Sequence, residues 1–339
     1  DVLQDVAALL LKVTNGEVDY QARTFNTDAN KPVVFDNQKK GDYKLVPLTK
    51  GDSNTVAIHF NMTSKDPVKR SVFQLKDFRI AMSYAINRQE VIDTIFVSQG
   101  KPSQPAPLEG TAYYNKQLAT QYIEYDVKKA NELLDKLGMK KGADGFRLTP
   151  DGKPFAFIIE GTGDLTKYIV DVGAMLVKYW KAVGINAEFK SEARDLFYTR
   201  KDGNETDCTL WGGAGGFNPI LDARNFAPVN YESNWGVAWK DWYNNNKDPK
   251  GEEPPAAVKA LITKFDEART AGSYADQVKK INELMQLTAD FFPNIGISTA
   301  ADGYGVAKNN LKNVPDRMVT DFTYSDPFIA RTFAWYFGK

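Results

Sequence analysis

Residues 59–88 read HFNMTSKDPVKRSVFQLKDFRIAMSYAINR. A short strand ends in Phe60-Asn61, a loop follows, and a helix opens at Asp77, which is placed to cap it. Phe78, Ala81, Met82, Ala85 and Ile86 then recur at three-and-four spacing, so one face of this helix is built for burial and it should stop near Ile86. Asn87 followed by Glu90 has the form of a capping box. Val91, Ile92, Ile95 and Phe96 supply a second apolar face before Gly100 ends the segment. Two abutting helices with buried faces fit this pattern better than one long helix.

The rest of the chain extends this α/β reading. Residues 1 to about 23 have a helical face in Val2, Val6, Leu9 and Leu10, with residues 15–20 (NGEVDY) turning into a short strand. Asp126 caps a helix with Ala130, Leu133, Leu134 and Leu137 on one face, ended by Gly138. Residues 154–159 form a strand, 164–183 a helix ended by Gly184, and 185–189 an alternating strand; together they make a βαβ unit. Residues 254–271 and 274–290 are two helices separated by Gly272, with Ser273 as cap, and an IGIS strand follows. Residues 244–253 are polar and form a surface loop.

Composition removes several functions. At 339 residues the chain exceeds one average domain of ~100 to 200 residues, so two are expected. Apolar residues at 42% and charged residues at 25% are ordinary for a soluble globular protein,. No run of ~18 apolar residues exists to span a bilayer. Lys plus Arg equals Asp plus Glu at 43 each, and without a basic block the chain lacks the footprint of a nucleic-acid binder. One cysteine and one histidine exclude Cys/His zinc clusters, disulfides and redox motifs, and no cofactor or metal is implied. Cys208 lies in a strand at 207–211 and reads as a buried hydrophobe. His59 lies in the alternating run 56–60 and reads as a structural strand residue. Glycoside hydrolysis needs only two carboxylates, and no sharp motif marks a pair. The opening DVLQDVAALLLKV has neither the positive n-region nor the cleavage site of a signal peptide.

The stretch 210–243, LWGGAGGFNPILDARNFAPVNYESNWGVAWKDWY, holds four of the six tryptophans. Gly212, Gly213, Gly215 and Gly216 directly follow a strand, where glycine allows unusual backbone angles and close approach of a ligand. A phosphate loop fails on chemistry: there is no Gly-Lys-Ser/Thr ending and no G-x-G-x-x-G spacing. Ligand sites combine apolar walls with a few fixed polar groups. The candidate residues in this stretch include Trp211, Gly213, Gly215, Phe217, Asn218, Asp222, Arg224, Asn225 and Trp235. Trp235, Trp239 and Trp242 are spaced four and three apart, which puts them on one helical face and suits either packing or ligand stacking.

The motifs FN at the strand end, DFRIAMSYAINR (77–88), GKPSQPAP (100–107), YDVKKANELLDKLG (125–138) and KAVGINAEF (181–189) together resemble the extracytoplasmic, periplasmic solute-binding proteins of ABC transporters. The match is to the peptide-, nickel- and oligosaccharide-binding family 5. The resemblance implies a two-lobed α/β Venus-flytrap fold, of the class C or type II kind, whose lobes are joined by crossing strands and close over a ligand. Lobe I would comprise residues 1–57 and 298–339, and lobe II 58–297, with crossings near 57–60 and 297–300. GEVD (16–19) resembles an element well inside the family's first lobe, so lobe II would be complete and lobe I partial, without its leading portion and signal peptide.

The implied function is capture of an oligosaccharide or oligopeptide and delivery to the transmembrane subunits of an ABC permease. The protein would act as a periplasmic monomer, not an enzyme, with no cofactor and no nucleic acid. A carbohydrate-active enzyme or a non-ligand-binding interaction domain are the alternatives. Peptide-binding members carry an aromatic residue just before an aspartate that receives the peptide's ammonium. Here Trp211 is the aromatic and Ala214 takes the acidic position, with Asp222 and Arg224 near enough in sequence to substitute. Tryptophans with Asn218, Asn225 and Asp222, and no ammonium acceptor, fit stacking on sugar rings better than dipeptide recognition.

Overall fold

A computed structural model describes residues 5–163, 168–245, 251–324, 327 and 330–338. It divides into two compact units, Asp1–Gly51 with Ala300–Lys339, and Asp52–Thr299.

The chain begins in the first unit with α1 (Val6–Thr14), β1 (Tyr20–Gln21), α2 (Lys31–Asp36), α3 (Gln38–Gly41) and β2 (Tyr43–Lys50). The second unit contains β3 (Ala57–Phe60), α4 (Pro67–Phe73), α5 (Lys76–Tyr84), α6 (Arg88–Ile95), α7 (Lys116–Thr120), α8 (Val127–Lys136), β4 (Ala156–Gly161), α9 (Tyr168–Ala182), β5 (Asn186–Ser191), α10 (Arg194–Asp202) and β6 (Cys208–Trp211). It continues with α11 (Val237–Asn244), α12 (Ala256–Arg269), α13 (Tyr274–Phe291) and β7 (Ile295–Gly296). The chain then re-enters the first unit as β8 (Gly303–Lys308), β9 (Leu311–Lys312), β10 (Met318–Thr320) and β11 (Tyr336–Phe337).

In the first unit the sheet order is β1-β8-β2-β10, with β8 antiparallel to both neighbours and β10 parallel to β2. Leu9, Val13, Phe25, Val34, Tyr43 and Tyr304 pack against it as one core cluster. Helix α1 ends at Thr14, well short of the expected 23, because Asn15 closes it and Gly16 takes φ +74°, a left-handed turn that glycine adopts without steric cost. Val2, expected on its apolar face, lies outside the described residues.

The second unit is built on a five-stranded sheet, β5-β4-β6-β3-β7. β4 runs parallel to β5 and β6, and β3 runs antiparallel to β6 and β7. Helix α9 is the crossover of the parallel β4/β5 pair, as the βαβ reading expects; residues 164–167 of the expected helix lie outside the described residues, as do 246–250 of the polar loop. Residues 57–60, expected as a crossing, are β3 inside this sheet. The core gathers Phe60, Phe73, Phe78, Phe157 and Trp180, with Phe60 and Trp180 ring centroids 5.5 Å apart. Cys208 is buried and unpaired among them.

The signature helices fold largely as read. Asn87 caps α6, its Oδ1 accepting the Glu90 amide at 3.1 Å, and Asp126 and Ser273 cap α8 and α13 in the same way. Asp77 does not cap α5. The cap lies two residues earlier, at Leu75, and Asp77 sits in the first turn, where a negative charge faces the positive end of the helix dipole. Arg79 and Arg88 are buried and bind main-chain carbonyls: Arg79 donates to Phe291 and Phe292, and Arg88 to Gly296 and Ile123. Buried cations need such partners, so both arginines fasten the helical pair to the chain leaving α13 and to the segment before α8.

Candidate functional site

β6 lies between β4 and β3, and its last residue, Trp211, pairs with Ala57. Its ring is half-buried. The face of the indole stacks on Phe197 at 5.4 Å and 14°, and Tyr198 meets it edge-on at 5.6 Å and 86°. Both partners come from α10. Tyr198 donates its hydroxyl to Glu232 Oε1 at 2.8 Å. The Lys201 ammonium sits 4.6 Å from the Tyr198 ring centroid and the Arg194 guanidinium 5.6 Å, both within cation–π range. Burial first, and Glu232 second, push the Tyr198 phenol up to about 12, so it remains a hydrogen-bond donor. The result is a braced aromatic platform at the strand end.

Gly213 and Gly215 make room for close main-chain packing inside the unit. Gly213 donates its amide to the Asn54 carbonyl at 3.1 Å, and a Cβ there would lie 2.7 Å from the Asn54 backbone. Gly215 has φ +77°, and a Cβ would strike the Asp222 carbonyl. Gly213, Ala214 and Gly215 are all buried, so the close approach that needs glycine at 213 and 215 is to the protein's own main chain. Asn54 itself ties three segments together: its Nδ2 donates to the Ser103 carbonyl at 2.9 Å, and its Oδ1 accepts from Ile297 and Ser298 at 2.9 and 3.2 Å.

Four further candidates belong to the interior. Asp222 and Arg224 are buried and paired with each other, Arg224 Nε donating to Asp222 Oδ1 at 2.9 Å and a second bond closing the fork. A carboxylate so engaged is no free acceptor for an ammonium, which corrects the expectation that it could replace the acid missing at Ala214. Asn225 is 1% exposed; its Oδ1 meets His59 Nε2 at 3.1 Å and its Nδ2 donates to Ser53 Oγ at 3.2 Å. Trp235 is 0% exposed, donates Nε1 to the Arg224 carbonyl at 2.9 Å, and packs edge-on against Trp239. It is a core residue, since no face of the ring reaches solvent. His59, buried in β3, is held neutral, because burial pushes its imidazole down to about 4.

Of the candidates and their flanking glycine, Gly212 is exposed and Trp211, Phe217 and Asn218 are half-buried. Asn218 Oδ1 accepts the Ile220 amide at 3.0 Å, which shapes the turn. Glu232, the acid that accepts the Tyr198 hydroxyl, is paired with Lys201 at 3.2 Å, and Asp222 is paired with Arg224. Sequence reading missed Phe197, Tyr198 and Lys201. Their only local signal was an adjacent Phe-Tyr pair in an otherwise polar helix. Trp242 stands apart from Trp235 and Trp239; it is half-buried and lines an open cavity of about 810 Å³ with Tyr243, Lys259, Asp266 and Arg269. Among the described residues, no group of three or more His, Cys, Asp or Glu could hold a metal ion.

Residues 1–251 match the model of the bacterial extracellular solute-binding proteins, family 5, middle region, and the chain belongs to that family. Di/tripeptide-binding protein 1 of Pseudomonas aeruginosa (strain UCBPP-PA14) is 26% identical over 185 residues, which cover 55% of this chain and 31% of the relative. Among solved structures, an oligopeptide-binding protein OppA matches with a TM-score of 0.79 and 28% identity, covering 99% of this chain and 56% of that one. The periplasmic binding protein MelB of Agrobacterium fabrum C58, solved in complex with stachyose, shares the fold with a TM-score of 0.72 at 15% identity, covering 92% of this chain and 47% of that one. The chain thus spans under a third of the curated relative and about half of each solved chain. These relatives are binding proteins. No described helix is long and apolar enough to cross a membrane.

Proposed function

We propose that the protein is the solute-capturing component of an ABC import system, acting in the periplasm or an equivalent extracytoplasmic space, and that it binds without catalysis. Family membership supports capture. The observation that carries the ligand reading is Trp211, half-exposed at the end of β6 and braced by Phe197 and Tyr198. Aromatic faces offer area at little entropic cost, and the neighbouring acids are occupied by Arg224 and Lys201. A neutral, ring-bearing solute such as an oligosaccharide needs no counter-charge and suits that surface. On this reading Asn218 and Phe217 lie beside the platform as further ligand contacts, and the second unit corresponds to lobe II of the family.

An oligopeptide is the second reading, favoured by the relatives named for peptides. It requires recognition of the peptide main chain without an ammonium acceptor beside Trp211, because leaving a cation desolvated and unpaired is costly. A thermal-shift screen against cello-, xylo- and manno-oligosaccharides and tri- to pentapeptides separates the two, since a ligand stabilises the folded state by mass action. A shift with one sugar class supports the first reading and a shift with peptides the second. Release of a cleaved product would point to an enzyme instead.

A further inference from the structure

β4 and β5 end side by side, Glu160 pairing with Lys190 across the parallel ladder. Glu160 and Glu192, the latter just past the end of β5, are both buried, with side chains 1% exposed. Like charges in a low-dielectric setting disfavour double ionisation. One guanidinium serves both: Arg200 reaches Glu160 Oε1 at 2.6 Å, donates to Glu192 Oε1 at 3.0 Å, and donates to the Glu205 carbonyl at 3.0 Å. Lys190 lies 2.8 Å from Glu192, and Glu160 Oε2 accepts the Asp207 amide at 3.2 Å. Asp207 is itself paired with Lys69 of α4 at 2.6 Å. Together with the buried Cys208, these are the titratable and charged groups that face Glu160 among the described residues.

Arg200 sits on α10, a nine-residue helix. Phe197 is three residues before it, on the same side, and Tyr198 is one turn away from Lys201 on the same helix. The helix that the acid pair tethers is therefore the helix that braces Trp211. We propose that the Glu160–Arg200–Glu192 cluster positions the Trp211 platform through α10, and that proton uptake by the cluster releases part of that hold.

With Glu160 ionised, Arg200 lies between two carboxylates, in ion contact with Glu160 and donating a charge-assisted hydrogen bond to Glu192,. With Glu160 protonated, the contact with Arg200 loses its Coulombic attraction. Burial pushes Glu160 up to about 7; Arg200 opposes this and Glu192 adds to it, so the change falls within the range an extracytoplasmic protein meets. Global stability moves the other way, because a carboxyl that holds its proton longer in the folded state stabilises the fold as pH drops through that window. Opposite trends in platform order and global stability are a signature that a purely structural ion pair would not give. The link to ligand capture rests on the reading of Trp211 above, but the position of the ring does not.

The test needs no ligand. Acrylamide quenching of the Trp211 emission, taken as wild type minus Trp211→Phe, is followed from about pH 5 to about pH 9, with circular dichroism confirming folded protein at each point. The expected result is that quenching rises as pH falls, with a midpoint near 7, and that Glu160→Gln abolishes the midpoint. Arg200→Lys, which keeps the charge and loses the fork, should leave Trp211 more quenchable at high pH than in wild type. A flat wild-type profile, or an unchanged midpoint in Glu160→Gln, overturns the proposal.

Discussion

Trp211 and Trp235 lie in one glycine-rich run, yet one is half-buried at a strand end and the other has no exposed surface. Trp211 ends β6, where Phe197 of α10 stacks on its ring and Tyr198 of α10 meets it edge-on. Trp235 opens the short turn into α11 and is enclosed by Trp239, Phe291 and the Arg224 carbonyl. The density of aromatic residues in a stretch therefore marks a region and not a surface. Which ring can meet a ligand depends on the element that carries it and on what that element packs against.

This contrast can be broken by substitution. Trp235→Ala should cost about 4 kcal/mol of stability, as large buried aromatics do, and denaturant unfolding would read it. A loss below about 1 kcal/mol would place Trp235 outside the core. Lys201→Ala should cost about 3 kcal/mol, because it leaves the buried Glu232 carboxylate without its counter-charge. A Lys201→Met, Glu232→Gln double variant should recover much of that loss, and an additive double variant would argue against the pairing.

A smaller effect is expected from the acid pair. In wild type, folding stability should fall as pH rises from the ordinary carboxylate range to about 7, because over that window the folded protein holds a proton that the unfolded chain has released. The contribution should be absent from Glu160→Gln, so the difference between the two melting-temperature profiles isolates it. A difference profile with the opposite slope would mean that Arg200 dominates over burial.

Much of the second unit was legible in the sequence, because its signals are local. The caps at Asn87, Asp126 and Ser273, the βαβ unit and the strand holding Cys208 all depend on residues a few positions apart. Asp77 misled because a helix start is uncertain by a residue or two, and Leu75, with extended φ −70° and ψ 114°, takes the cap position two residues before it. The site was less legible. Trp211 could be read from its place at the end of a strand, but its braces Phe197 and Tyr198 belong to another element, and only tertiary packing brings them together. The Asp222–Arg224 pair was equally hidden: residues two apart do not face each other on a regular helix, and only the irregular turn at 222–224 lets them close a fork.

The most direct test of the central claim is a calorimetric titration of wild type and Trp211→Ala with the solute that gives the largest thermal shift. The platform account predicts a folded variant with affinity weakened by at least ~1 kcal/mol, the contribution of one well-placed aromatic face. A folded Trp211→Ala variant with unchanged affinity would contradict it.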